Sequence, residues 1–304
     1  SQDNKVYLLI RLYEPKRING SKRGSEYTHR LLCVTDKGIS FNKEISLDQD
    51  KGINNIHFEL TENNELMLAG FYGTSCCTIA GSFFMTISAD GEEILAPQSQ
   101  DFDLDFIAEG VSERKRKRLE KQDELGEDIG FDNVDFRDFI VREDGSVVLV
   151  GELYAVTQEG RGQDAVPTHF NYKSIIVVNI QADGQIAWNK KILKRQLTVD
   201  DGGFMSGFVL AVNGDKLHFI FNDHKDNLDV QTEKELVTYS RKKNSSVVAM
   251  VTLDQEGEMT KEGLISQKEL GMEIRPMSCE QVSDNELILF GMNRTENQFA
   301  RLLF

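Results

Sequence analysis

Phe136–Val141 (FRDFIV), a turn at Asp144-Gly145, and Val147–Val150 (VVLV) ending at Gly151 make up half of the pattern that decides the fold. After a polar loop comes the other half: Ser174–Ile180 (SIIVVNI), a second turn at Asp183-Gly184, then Ile186–Ile192 (IAWNKKI). In order these are four strands, A to D, with A–B and C–D joined by tight turns. An Asp-Gly pair between two β-rich runs marks a hairpin, because the turn needs positive φ at its centre and glycine has no Cβ to oppose it.

Working outward, the same order returns in both directions. Upstream, Ile56–Leu60 and Leu66–Phe71 flank the turn Glu62-Asn63-Asn64, and Ser82–Ile87 leads into Asp90-Gly91. Downstream, Phe208–Val212 and Leu217–Phe221 flank Asn213-Gly214, and Val247–Leu253 leads into Glu256-Gly257. A last copy runs Met277–Val282, Asp284-Asn285, Leu287–Phe290 and Gly291, closing on Phe299–Phe304; the first starts at Val6–Tyr13 and turns at Asp36-Lys37-Gly38 without a strand A. Five units follow, at about 5–50, 52–100, 134–196, 204–266 and 272–304, with the connections carrying most of the length variation, as expected where strands form a scaffold and loops project from it.

Ile175–Val178 and Val247–Met250 do not alternate apolar with polar residues, so both faces of each sheet require cover. Stacking sheets around a common axis supplies that cover. The predicted fold is therefore all-β, a single β-propeller domain of five blade-like units with one short helical insertion at about 106–130. A two-layer sandwich, which would show cleaner alternation, is the second choice. The first unit lacks strand A and the last lacks strand D, so the expectation is a fragment of a larger propeller, with an open or five-bladed ring as the alternative.

The pattern of an apolar strand ending in glycine, a loop, an apolar strand, Asp-Gly, and a strand with Trp and Lys resembles the bacterial β-propeller repeats known as SBBP. Val147–Gly151 with Ser174–Ile192 carries the match, and Trp188 stands where that repeat has its tryptophan. The resemblance implies a secreted bacterial protein; it implies no chemistry, because its motifs are structural. Glycine is missing from the strand-B position at Ile10-Arg11 and Phe221-Asn222, and tryptophan occurs once.

Composition narrows the function classes. A formal net charge of −15 opposes approach to nucleic acid, and the longest apolar runs are strand-length, far short of a membrane span. The opening residues, Ser1 onward, carry no targeting pattern, and a secreted, periplasmic or cell-surface location is expected with a signal peptide removed or upstream. Cys33, Cys76, Cys77 and Cys279 show no metal-binding spacing; they read as thiols, with a disulfide from Cys33 or Cys279 to one of the adjacent pair as the alternative.

The insertion between the second and third units holds a basic run, Arg114–Arg118, followed by acids from Glu120 to Asp128 at helical spacing. It reads as a solvated surface helix, with a docking site for an acidic partner or nucleic acid as the sharper reading. Asp101, Asp103 and Asp105 alternate along what reads as an extended stretch, placing three carboxylates on one face. A second acidic loop offers Asp223, Asp226 and Asp229 as candidate calcium ligands, without EF-hand spacing. No other cofactor is implied.

Neither a nucleophile elbow nor a phosphate-cradling glycine loop is present. Ser206 lies at a strand entry, and the five histidines are scattered over different units, with His57 and His218 inside strands. Tyr72, Tyr154, Phe170 and Tyr172 fall at strand ends beside the long B–C loops and are the candidate binding aromatics, against a reading as caps on the core. The sequence thus points to a non-enzymatic exported propeller that binds a protein or a surface polysaccharide. A hydrolase or lyase with an acidic site at the propeller axis is the competitor.

Overall fold

The computed structural model describes residues 5–16, 24–48, 51–73, 78–158, 166–239, 244–293 and 296–304. The chain is all-β, a series of antiparallel sheets with short helices between them. Its contacts fall into two compact units: 1–107, 122–149 and 178–187 in the first, and 108–121, 150–177 and 188–304 in the second.

In the first unit, β1 (Val6–Lys16), β2 (Gly24–Thr35) and β3 (Gly38–Ile45) form a three-stranded sheet in that order. The next sheet has β4 (Gly52–Leu60), β5 (Glu65–Gly73), β7 (Gly81–Ser88) and β8 (Glu93–Asp101) in the order β4-β5-β7-β8, while the short β6 (Thr78–Ile79) pairs with β9 (Phe131–Asp132). Leu31 and Ile45 of the first sheet pack on Leu66, Leu68, Phe83 and Ile87 of the second, all buried. Fully burying such a side chain stabilises by roughly 1.5–3 kcal/mol, so this contact is a main source of cohesion in that unit. The alternate residues of β1, Val6, Leu8 and Leu12, remain exposed.

The third sheet comprises β10 (Val134–Val141), β11 (Val147–Gln158), β12 (Thr168–Ile180) and β13 (Ile186–Ile192) in sequence order, with β14 (Gln196–Val199) pairing β12. Its residues are divided between the two units.

In the second unit, β15 (Val209–Asn213), β16 (Lys216–His224), β17 (Ser246–Leu253) and β18 (Met259–Ser266) form a meander in chain order. The last sheet is β19 (Glu273–Ile274), β21 (Glu286–Asn293) and β20 (Glu280–Ser283) in that order, with β22 (Glu296–Leu303) on β21. Ala211, Ile220 and Val248 pack on Ile274, Leu287 and Leu289 between these sheets.

Five of the turns share one geometry. In Thr61–Glu65, Ser88–Glu92, Arg142–Ser146, Gln181–Gln185 and Asp254–Glu258, the fourth residue donates its N–H to the first carbonyl, and the first N–H donates to the fifth carbonyl. The fourth residue alone has positive φ: Asn64 at 58°, Gly91 at 91°, Gly145 at 80°, Gly184 at 88° and Gly257 at 80°. This is a three-residue loop whose left-handed residue closes it at the end, not the turn with positive φ at its centre expected from the sequence. The aspartate instead braces the loop from within, since Asp144 and Asp183 each accept the N–H two residues on, at 2.8 and 3.0 Å.

Within each unit, a residue on the last strand of one meander rests on the turn of the next. A Cβ on Gly91 would lie 2.9 Å from the ring of Phe41, one on Gly184 2.6 Å from Gln98, and one on Gly257 2.7 Å from Trp188.

Several local expectations are corrected. The insertion holds two helices, α1 (Leu104–Ile107) and α2 (Glu113–Glu124), and α3 (Gln267–Leu270) follows β18. Asp101, Asp103 and Asp105 do not share an extended face: the strand ends at Asp101, and Asp103 accepts the N–H of Phe106 at 2.7 Å to start α1. Met277–Val282 begins as a 3-10 turn over Pro276–Ser278, because proline has no N–H for a ladder, and β20 starts only at Glu280. Cys33 and Cys279, by contrast, are free thiols as the sequence reading has them, and Cys76 and Cys77 lie outside the described residues.

Candidate functional site

Two of the four candidate binding aromatics are core residues. Tyr72 is buried in the first unit, where its hydroxyl donates to Asp101 at 2.5 Å and the Lys51 ammonium lies 4.7 Å from its ring centre. Burial, and then the bond to Asp101, hold its phenol well above the usual range. Tyr172 is buried in the second unit. Its ring is 4.6 Å from that of Tyr154, and a Cβ on Gly203, whose φ is +73°, would meet it at 2.8 Å. Tyr154 and Phe170 are half-buried, and Phe170 faces Thr198 across the β12–β14 ladder. Tyr72 and Tyr172 are therefore packing residues within their own units.

Beneath Tyr172 lies the most concentrated polar chemistry of the second unit. Lys194 and Glu152 form an ion pair of 2.5 Å with both side chains fully shielded from solvent. The same ammonium donates to Gln196 Oε1 at 2.9 Å and lies 5.7 Å from the Tyr172 ring centre. Gln196 passes the network on, donating to the Asn222 carbonyl at 2.8 Å and accepting the Gly207 N–H at 2.9 Å. The Asn222 amide donates to the Met205 and Ile274 carbonyls at 2.9 and 2.7 Å, and its oxygen accepts from Gln267 at 3.1 Å. Gln267 also donates to the Tyr239 hydroxyl at 2.9 Å, and that hydroxyl donates to Glu273. Such groups stay buried only when paired, because leaving one unsatisfied costs about 1–3 kcal/mol, and more if it is charged.

Of the candidate calcium ligands, Asp223 alone joins a buried clamp of this kind. Asp223 is fully buried: Oδ1 accepts from the His224 N–H at 2.8 Å and from Asn227 at 2.7 Å, and Oδ2 from Lys261 at 2.8 Å. Lys261 also reaches the Asn227 carbonyl at 3.0 Å. Asp226 and Asp229 are exposed, and no group of three His, Cys, Asp or Glu able to hold a metal forms among the described residues. The lysine has taken the place a cation would fill, so the metal reading of Asp223, Asp226 and Asp229 is corrected to a structural one.

The result is a fixed loop. Asn227 trades hydrogen bonds with the Val237 backbone at both ends, Tyr239 N–H bonds the Arg195 carbonyl at 2.8 Å, and Arg195 donates to the Leu236 and Glu233 carbonyls. Lys191, whose charge burial disfavours against the opposing pull of Glu233, donates to the Glu109 carbonyl at 2.8 Å. Sealed from solvent and paired with each other, Lys194 and Glu152 hold segments together; they are not placed to meet a substrate. Of residues 228–235, by contrast, Asp229, Gln231, Lys234 and Glu235 are exposed.

The histidines have packing roles. His57 stacks on Phe136 at 3.9 Å, and His218 stacks on Phe304 at 4.6 Å while bonding the Thr252 hydroxyl at 2.9 Å; burial lowers the pKa of both. Sequence reading missed Glu152, Lys194, Gln196, Asn222 and Lys261. The usable signal was a polar residue continuing an apolar strand without a turn, as in Val147–Val150 then Gly151-Glu152, and Leu217–Phe221 then Asn222-Asp223.

No family model matches the chain, and no curated protein does. Among solved structures it is similar to a protein of unknown function from Bacteroides caccae, at 11% identity and a TM-score of 0.27, covering 80% of each chain.

Proposed function

We propose that the chain is a non-enzymatic β-propeller of the SBBP-like kind, exported from the cell, whose blades hold loops for binding a partner protein or a surface polysaccharide. The architecture is supported by the repeated meander and by the strand-on-turn contacts at Gly91, Gly184 and Gly257 inside each unit. No helix among the described residues is long and apolar enough to cross a membrane. The single observation that carries the binding role is the clamp itself. Buried charge at Glu152, Lys194, Asp223 and Lys261 fixes the connection between β16 and β17 instead of lining a cleft, and a preordered loop loses less entropy on binding.

The test exchanges residues 229–235 for a Gly-Ser linker, leaving Asn227 and Tyr239 in place. Wild type and exchange are compared on a glycan panel and on purified surface proteins, with chromogenic glycosides, esters and lyase substrates as activity probes. Binding by wild type that weakens at least tenfold in the exchange is expected. Turnover of any probe, or unchanged binding by the exchanged protein, overturns the reading.

A further inference from the structure

Helix α2 is built against its own stability. Residues 114–121 hold six cations and one acid, in a chain with 50 acidic and 35 basic residues. Arg114, Lys117, Arg118 and Lys121 are spaced i, i+3, i+4 and i+7, so they line one stripe about 10 Å long. All four are exposed, and none is in an ion pair among the described residues; Arg116, on another face, takes Glu120 at 3.1 Å. Every i,i+3 and i,i+4 contact within the stripe is between like charges, which costs a helix about 0.2–0.5 kcal/mol per pair. Arg114 and Lys115 also share the first turn with Glu113, and Asp123 and Glu124 share the last with Lys121, so unfavourable charges outnumber favourable ones at both ends of the helix dipole. Leu119 is the helix's one buried side chain, so little packing offsets these terms. Simple solvation does not require such a stripe, because alternating signs would solvate the face and stabilise it.

We propose that the Arg114–Lys117–Arg118–Lys121 stripe binds an acidic polysaccharide, a linear chain of uronate or sulfate groups. The inference rests on the binding-module reading and names the ligand class. A repeating anion neutralises all four cations and removes their mutual repulsion at once. The helix displays no aromatic ring on which a nucleobase could stack, which disfavours nucleic acid. The stripe also lacks the aromatic or aliphatic anchor that dominates protein–protein contacts, which disfavours an acidic peptide. Recognition by charge alone gives modest affinity that salt screens.

The experiment measures binding of the full chain to heparin, polygalacturonate, neutral dextran, poly-glutamate and a single-stranded oligonucleotide, at two salt concentrations. The variant carries Arg114→Gln, Lys117→Gln, Arg118→Gln and Lys121→Gln, which relieves the like-charge pairs and so does not threaten folding. A second variant swaps arginine and lysine at the same positions. Wild type should bind heparin or polygalacturonate in preference to the other probes and lose affinity as salt rises. The glutamine variant should bind at least tenfold more weakly, with the swap variant close to wild type. Equal binding by the glutamine variant, a preference for the oligonucleotide or poly-glutamate, or equal binding of dextran overturns the proposal. Release of saccharide fragments in the same samples would instead count against the non-enzymatic reading, so the two failures are told apart.

Discussion

Trp188 of β13 closes over Gly257, the left-handed residue of the β17–β18 turn, and its indole N–H donates to the Gln255 carbonyl of that turn at 2.9 Å. The bare glycine serves two needs at once. Its φ of +80° is strained for any residue with a Cβ, and the space that Cβ would occupy is already filled by the indole. The aromatic of one repeat and the turn chemistry of the next are therefore one device.

Gly257→Ala should accordingly cost more than the backbone penalty alone. Gly214 supplies the comparison, since its φ is +57° and nothing lies within 4 Å of its missing Cβ. Gly214→Ala is expected to cost about 1 kcal/mol from the left-handed conformation, whereas Gly257→Ala should cost about 2–3 kcal/mol with the displaced ring added. Trp188 is the single tryptophan, so its fluorescence reports this contact directly during urea unfolding. Equal costs and an unchanged emission maximum would show that the contact is incidental.

This device also marks where sequence reading stops. Apolar runs and glycine turns located the strands because both are local: Ile175–Val178 is buried on both faces, and in four of the five shared turns positive φ fell on a glycine. Which side chain lies over which glycine depends on how one sheet packs on the next, and Trp188 and Gly257 are 69 positions apart. The clamp was hidden for the same reason. An aspartate in an acidic loop looks like a cation ligand until the strand carrying Lys261 is laid beside it. Tyr172 likewise looks like a binding residue until Gly203 is found against its ring.

Removing one partner of the Lys194–Glu152 pair should be far worse than removing both. Lys194→Met leaves a buried carboxylate beside Gln196 and Tyr172 and is expected to cost about 3–5 kcal/mol. Adding Glu152→Leu should recover at least half of that loss, because an apolar pair carries no desolvation penalty. Urea unfolding of the wild type, both single variants and the double variant gives the coupling energy. Additive losses would mean that the pair does not act as a unit.

Calcium should leave the protein indifferent. The Asp223 carboxylate already has three donors, including the Lys261 ammonium at 2.8 Å, so a cation would have to displace a lysine from a buried site. Millimolar calcium or EDTA is expected to move the melting temperature by less than about 1 °C, since a ligand stabilises only by binding the folded state. Asp223→Asn should lower stability by about 2–3 kcal/mol, equally with and without the metal. A calcium-dependent rise of several degrees, abolished in Asp223→Asn, would restore the metal site.

Acid should unfold the first unit through His29. This ring is 3% exposed and accepts a hydrogen bond from Arg11 at 3.1 Å; burial, and then that guanidinium, lower its pKa from 6.5 to about 4. A depressed histidine favours the neutral ring in the folded state. Between pH 6.5 and about 4 the unfolded chain therefore binds the proton that the folded chain refuses, and stability falls as pH falls. His57, in the same unit, is shifted in the same direction by burial and adds to the trend. From pH 7 to pH 5, His29 is expected to account for about 1–2 kcal/mol of lost stability. Stability measured across that range in wild type and His29→Gln checks this. The variant keeps an acceptor for Arg11 but cannot take the proton, so its curve should be flatter, and parallel curves would mean that His29 titrates normally in the folded protein.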